Sequence, residues 1–461
     1  MQAAKSTLPD RRRVPGKRYK PDALMYVTAA FWWVSVWRFQ DLWPIIGKLQ
    51  IPLALEIILT LMLAGSLTGV RSLKWIKSRI LALPFVLLAI MVVGVPISLW
   101  PGNSVIFITK VFFPSLVLML AVAASLRNAD DINWLAFAHL IGATIYSVYI
   151  YLFIPMVDGR LGGGIYYDAN DLALLVVCTI PFAIYFLRSS VPGWKRLFAL
   201  FSLMLFVEMV IKSGSRGGFI AFIALMLYIV VAFRAIPTRV RVSAVVIAAA
   251  IMTVLGSTAY WDMMRSILHP KDDYNMTSEV GRKAIWKRGI GYMLTHPALG
   301  VGANAFEQAE GTLSAISKQY ASENRGLKWS TAHNSFVLVG AELGVGGMVI
   351  FVAMLGTSIT HLSRIKSGAN GDPDVTDEDA AFAQVLIAAL IGFSVAGFFV
   401  SAAYDSFLYA LLGLVIAEDS QRRRRARGLA QSSIVETIHS APAKIRRAQK
   451  EAQPAHWAPT G

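Results

Sequence analysis

Arg216, Arg282 and His333 are the residues of this chain whose types and settings best suit chemistry on a phosphorylated substrate. Ser215-Arg216-Gly217-Gly218 opens an apolar run, Gly281-Arg282 lies in a long polar stretch, and Ala332-His333-Asn334-Ser335 closes that stretch. Two guanidinium groups can grip a diphosphate in fork geometry and balance the charge that grows on it as a bond to it breaks. An imidazole, with an unperturbed pKa of about 6.5, can accept a proton from an attacking hydroxyl near neutral pH.

Each of these residues also has a plainer reading. A membrane-edge arginine such as Arg216 can snorkel to the interface, and Gly217-Gly218 can serve helix packing instead of close ligand approach. Glu208, Lys212 and Arg216 recur every four residues and share a face if Ser213-Gly214 does not interrupt the helix. Arg282 has Trp286 one turn later on its face, but Lys283, Lys287 and Arg288 make the whole segment cationic, so Arg282 can simply be solvated. A lone histidine such as His333 is more often structural than catalytic. Asp168-Ala169-Asn170-Asp171 reads first as a helix cap, with contacts from Asp168 and Asn170 to sugar hydroxyls as the alternative. Lys110, about two turns inside an apolar segment, is costly to bury unless it faces a cavity, and Glu56 is a candidate partner. Tyr404 and Asp405 are weaker candidates for acceptor contact. His296, followed by proline, reads as a turn residue, and His139, His269 and His361 lack supporting context. There is no zinc-type or EF-hand spacing, so no metal is expected. Cys178, the only cysteine, can form no internal disulfide.

The elements that must position these groups are transmembrane helices. A chain of 461 residues that is 56% hydrophobic with mean hydropathy +0.55 is not an ordinary soluble domain. Apolar runs long enough to cross a bilayer, about 20 residues each, recur about twelve times. The expected spans are 24-42, 51-69, 80-99, 104-126, 132-154, 170-188, 196-212, 217-234, 240-260, 334-361, 380-400 and 402-418. They are expected to be helices, because only helices and closed barrels satisfy their backbone in lipid and no barrel-type alternation is present. The first span, with Trp32, Trp33, Trp37 and Trp43, also reads as an interface anchor.

Basic segments at Lys5 to Lys20, Arg71 to Arg79, Arg188 to Arg196, Arg234 to Arg241, Arg364 with Lys366, and Arg422 to Arg427 fall on one side if both termini are cytoplasmic. They account for most of the formal +16 charge, which therefore reads as topology and attraction to membrane lipids, with no nucleic-acid partner expected. The expected organisation is a basic cytoplasmic tail over 1-23, helices over 24-260, a long external loop over 261-332, helices over 333-418 and a second basic cytoplasmic tail over 419-461. Within the loop, Thr277-Ser278-Glu279 predicts the cap of an amphipathic helix carrying Arg282, Ile285, Trp286 and Ile290 and stopping at His296-Pro297. Gly300-Val301-Gly302 predicts a flexible turn, and the loop as a whole is expected to pack down on the bundle.

Taken in order, Arg160-Leu161-Gly162, Asp168-Ala169-Asn170-Asp171-Leu172-Ala173 and Ser215-Arg216-Gly217-Gly218 resemble the O-antigen ligase and polymerase family of bacterial envelopes. Arg282-Lys283-Ala284-Ile285-Trp286, His296-Pro297-Ala298-Leu299-Gly300-Val301-Gly302, Ala332-His333-Asn334-Ser335 and Glu342-Leu343-Gly344 are similar to its signature region. The resemblance implies an all-α, GT-C-like glycosyltransferase of the bacterial inner membrane. Its active site would face the periplasm, taking a glycan from undecaprenyl diphosphate to the hydroxyl of a glycan or lipid acceptor without a cofactor. Arg216 and Arg282 would hold the diphosphate with Arg160 as a third clamp, and His333 would act on the hydroxyl, inverting the anomeric centre. Lys110, Asp168, Asn170, Trp286 and Asn334 would line the substrate. A repeat-unit polymerase is the near alternative. A lipid-linked glycan transporter or flippase is the alternative of a different class, and would call for Lys110, Glu56 and Glu208 around one central pathway.

Overall fold

The protein, described here from a computed structural model, is an all-α polytopic membrane protein. The structure describes residues 20–42, 47–65, 78–164, 166–234, 236–269, 271, 273–326, 329–368 and 375–440. The tails before and after this range, Trp43, and most of the basic segment at Arg71 to Arg79 lie outside the described residues.

Each of the expected apolar segments carries a helix: α1 (Ala23–Val36), α2 (Ile51–Gly65), α3 (Ala82–Gly94), α4 (Pro101–Ser125), α5 (Ala129–Phe153), α6 (Ala169–Tyr185), α7 (Gly193–Ser213), α8 (Arg216–Ala232) and α9 (Thr238–Leu255). The long segment after α9 supplies α10 (Thr258–Arg265), α11 (Arg282–Thr295), α12 (Phe306–Thr312) and α13 (Ala315–Ser322). Three long helices follow, α14 (Ser335–Gly368), α15 (Asp377–Ala396) and α16 (Ser406–Ser440). Six helical segments among the described residues meet both the length and the apolarity needed to cross a membrane, and α1, α2, α6 and α8 are shorter apolar helices. Among the described residues there is no named strand, only isolated bridges at Val157 with Arg160 and Gly163 with Tyr167.

Burial separates centre from rim. The apolar stretch of α15 is 83% buried, packed by α6, α8 and α14, whereas that of α9 is 17% buried and turns Val246, Ile247 and Val254 outward as a lipid-facing helix must. The tryptophans of α1 correct the interface-anchor reading. Trp32 and Trp37 are fully buried against the His139 ring, and Trp33 Nε1 donates to the Ala138 carbonyl at 2.9 Å. They pack inside the bundle because α5 offers a facing aromatic surface, which their local sequence cannot reveal.

Local chemistry explains where the site helices begin. Asp168 caps α6 in a reciprocal box with Asp171, and Ser215 caps α8 by accepting from the Gly218 amide at 3.1 Å. Ser213-Gly214 does interrupt the helix: α7 ends with Gly214 in the left-handed region, so Arg216 starts a new helix away from Glu208 and Lys212, which pair with each other at 3.8 Å.

The long segment after α9 docks on α14 through the motifs His296 to Gly302 and Glu342 to Gly344. Gly344, at φ +72°, breaks α14, and the carbonyls of Ala341 and Glu342 instead accept from the amides of Val301 and Gly302 at 2.9 and 3.0 Å. Gly300, at φ +69°, lies directly on the Glu342 backbone, where a Cβ would collide. The turn at 300–302 is therefore packed and hydrogen-bonded. Its glycines serve close approach, which corrects the expectation of flexibility. The helix carrying Arg282 stops at His296 as expected, but its cap is Gly281, and Ser278 Oγ accepts from the Val280 amide instead.

Candidate active site

Four helix starts converge at one end of the bundle. Arg216 and Arg282 are the first residues of α8 and α11, Asp168 caps α6, and Asn334 caps α14 by accepting from the amides of Phe336 and Val337 at 2.9 and 3.0 Å. Helix N-termini carry unpaired amides and partial positive charge, so their convergence favours an anion.

Asn170 ties the starts of α6 and α8 together. Its Oδ1 accepts from Arg160 at 3.0 Å and from Ser215 Oγ at 2.8 Å, and its Nδ2 donates to Asp168 at 3.2 Å. Arg160 also reaches over the end of α7, donating from Nε to the Ser213 carbonyl at 2.9 Å. Arg216 donates from Nη1 to Asp273 at 2.7 Å and to Ser266 at 3.0 Å, which anchors the long segment after α9 on α8.

Arg282 is bound differently. Its Nη1 reaches the Phe399 carbonyl at 3.4 Å, a long contact, in the turn between α15 and α16. Burial lowers its guanidinium pKa; the charges of Arg216 and Arg160 push it further down, against the opposite pull of Asp168 and Asp273. Arg160 is lowered for the same first reason, burial, with Asp168 opposing and Arg216 adding to it. Asp273 is pulled up by burial but ends below its ordinary value, because the Asn275 amide and the Arg216 guanidinium hydrogen-bond its charged form. Three arginines thus crowd one region and repel one another, a cost that a bound polyanion would relieve.

The Phe399 turn is the hub that connects this cluster to His333. Phe399 fills the space where a side chain on Gly217 would stand. The neighbouring Gly397 carbonyl accepts from the Ser335 amide at 2.7 Å, and Ser335 Oγ donates to the Val400 carbonyl at 2.7 Å. Trp286 packs edge-on to Phe398 at 5.1 Å and donates from Nε1 to the Ala332 carbonyl at 3.0 Å, one residue before His333. His333 itself is half-buried with φ +47°, a left-handed conformation that costs about 1–3 kcal/mol outside glycine and persists when neighbours impose it. Here Trp286 fixes one side and the Asn334 cap the other.

The sequence candidates therefore divide. Arg160, Asp168, Asn170, Arg216 and Arg282 come together, and Trp286, His333 and Asn334 join them through the Phe399 turn. Lys110 is exposed on α4 with Glu56 of α2 as its charged neighbour. Neither Lys110, Glu56 nor Glu208 lines the two cavities described here. Tyr404 is buried against Phe107 and Phe112. Sequence reasoning passed over Asp273 and Phe399, which carry no local signal because their partners are far away in the chain. It also passed over Arg38 and Tyr166. The Arg38 guanidinium lies 3.6 Å over the Tyr166 ring beside a cavity of about 200 Å³ next to the Arg160 turn.

With this geometry in view, residues 199–352 match the family model described as O-antigen ligase. The chain carries an O-antigen ligase family region. No curated protein matches the chain. The O-antigen ligase region runs from α7 into α14 and so includes Arg216, Arg282 and His333, while Arg160, Asp168 and Asn170 precede it. Together with the apolar helices it makes this a membrane enzyme of the O-antigen ligase or polymerase type.

Proposed function

We propose that this O-antigen ligase-type enzyme transfers a glycan from undecaprenyl diphosphate to an acceptor hydroxyl on the outer face of the bacterial inner membrane, with both termini cytoplasmic. The observation that carries the reading is the crowding of Arg160, Arg216 and Arg282, in which Arg282 has a backbone carbonyl as its hydrogen-bond partner. Such a cluster suits a diphosphate, whose oxygens can take several guanidinium donors at once.

In this mechanism the acceptor oxygen bonds to the anomeric carbon as the bond from that carbon to the diphosphate oxygen breaks. The hydroxyl proton passes to His333, and the electron pair leaves with the diphosphate, whose added charge Arg216 and Arg282 balance. Attack opposite the leaving group inverts the anomeric centre. A diphosphate is already a good leaving group, so charge stabilisation replaces the carboxylic acid that protonates a sugar leaving group in hydrolases. The same argument leaves no step that requires a metal. Asp168 and Asn170 orient the arginines, and Trp286 and Asn334 hold the His333 backbone. Lys110, whose charged neighbour is Glu56, is given no step in the scheme. The acceptor is a glycan or lipid hydroxyl, the modest loop between α9 and α14 arguing against a specialised protein-recognition apparatus; ligation is preferred narrowly to repeat-unit polymerisation.

The test is to delete the gene in its native host and restore it with wild type or His333→Ala at matched expression. Surface glycans and undecaprenyl-linked glycans are then compared by gel and mass spectrometry. The expected result is that wild type restores polymer on its acceptor while the variant accumulates finished polymer on the lipid carrier. Full restoration by His333→Ala would refute the role of His333, and glycans trapped on the inner leaflet after deletion would make a flippase the better account.

A further inference from the structure

The bundle has a second cation cluster at its opposite end. A cavity of about 1150 Å³ lies among the ends of α5, α6, α7, α8, α14 and α15, and Arg188, Lys195, Arg234 and Lys366 line it. Three of these are set on aromatic faces. The Arg188 guanidinium lies 3.8 Å from the Tyr185 ring centroid, Lys195 Nζ 4.5 Å from that of Phe137, and Lys366 Nζ 5.4 Å from that of Tyr228. Arg188 also donates to the Tyr185 carbonyl at 3.1 Å. The aromatic contacts hold the cations in place without neutralising them.

Three carboxylates, Asp130, Asp377 and Glu378, share the cavity wall. Glu378 accepts from Asn133 Nδ2 at 2.6 Å, and Asp130 and Asp377 lie in the first turns of α5 and α15, where they offset the helix dipoles. Among the described residues, none of the four cations forms an ion pair with a carboxylate. Arg234 is close enough to Lys366 to repel it. Four cations outnumber the three carboxylates that line this cavity, and basic pockets between membrane helices are suited to phosphate head groups.

We propose that this cavity is a binding site for a phosphate-bearing ligand, with the phosphate held among Arg188, Lys195, Arg234 and Lys366. Two sources share that chemistry, a phospholipid head group entering from the bilayer and a soluble phosphate compound. The site is separate from the Arg216 and Arg282 cluster and does not depend on the glycosyl-transfer reading.

The experiment uses purified, delipidated full-length protein. Phosphatidylglycerol and phosphatidylcholine are offered in turn and retention is read by native mass spectrometry. Inorganic pyrophosphate is titrated calorimetrically into Arg216→Ala protein, so that the other cluster contributes little. Each probe is repeated with Lys195→Ala/Lys366→Ala and with the charge-conserving Lys195→Arg/Lys366→Arg. Retention of phosphatidylglycerol that falls at least tenfold in the alanine pair and survives in the arginine pair supports a head group from the membrane. Pyrophosphate binding with the same dependence supports a soluble source. Failure of wild type to retain either probe, or equal binding by the alanine pair, overturns the proposal. Loss in both pairs alike, with an unchanged thermal unfolding midpoint, also overturns it, since charge would then not be the property recognised.

Discussion

Arg282 and Arg288 sit on the same short helix, less than two turns apart, and are treated in opposite ways. Arg288 is forked onto the buried Glu310 carboxylate, with Nε at 2.9 and 3.0 Å and Nη2 at 2.5 Å, and Tyr292 completes the carboxylate's hydrogen bonds at 2.8 Å. Burial alone would lower the Arg288 pKa, but Glu310 outweighs it and raises it. Arg282, also withdrawn from water, has one long contact to a backbone carbonyl and two arginines nearby. The first arrangement satisfies itself and holds α11 to α12. The second is left in want of negative charge, which marks it for a ligand, whereas Lys283 and Lys287 on the outer face are solvated.

That contrast can be broken by mutation. Arg282→Ala is expected to lower glycan transfer by about 10²–10³-fold with little change in thermal unfolding, as for other donors that stabilise a leaving charge. The check is a transfer assay normalised to folded protein in the membrane. Arg288→Ala should do the reverse, leaving transfer per folded molecule near wild type while destabilising the protein by about 3 kcal/mol, because Glu310 is left buried without its cation. Thermal unfolding in nanodiscs measures it, and rescue by Glu310→Gln in the Arg288→Ala background would sharpen the point. Trp286→Phe keeps the ring against Phe398 and removes the hydrogen bond to the Ala332 carbonyl, which should cost about 1 kcal/mol, read as a roughly fivefold fall in turnover from loosening His333. Lys283→Ala is the smallest case, expected to change stability and transfer by less than about 0.5 kcal/mol. A large effect there would show that the whole cationic face, and not Arg282, is what matters.

The same contrast measures what the sequence could reveal. Hydropathy located the helical segments because lipid requires a continuous apolar run, and Pro297 marked the end of α11 because proline cannot continue a helix. Arg282 stood out by position, but nothing local distinguished it from Arg288. The distinction comes from Glu310 and Phe399, which approach through tertiary packing. Asp273 was missed for the same reason, since its use as the Arg216 partner depends on how the long segment after α9 folds back. Gly300 and Gly302 were visible as glycines, but whether a glycine serves freedom or close approach is decided by its neighbour, here the backbone of α14 at Glu342 for Gly300 and Ser98 for Gly302. The burial of Trp32 and Trp37 likewise depends on α5.

The central claim is that Arg216 and Arg282 hold a diphosphate, and the most direct test is equilibrium binding of undecaprenyl diphosphate to the purified protein in nanodiscs. Wild type and Lys283→Ala should bind alike, while Arg216→Ala and Arg282→Ala should each weaken binding at least tenfold, Arg282→Ala at the wild-type unfolding temperature and Arg216→Ala at a lowered one because Asp273 loses its cation. Unchanged affinity in both arginine variants would contradict the account.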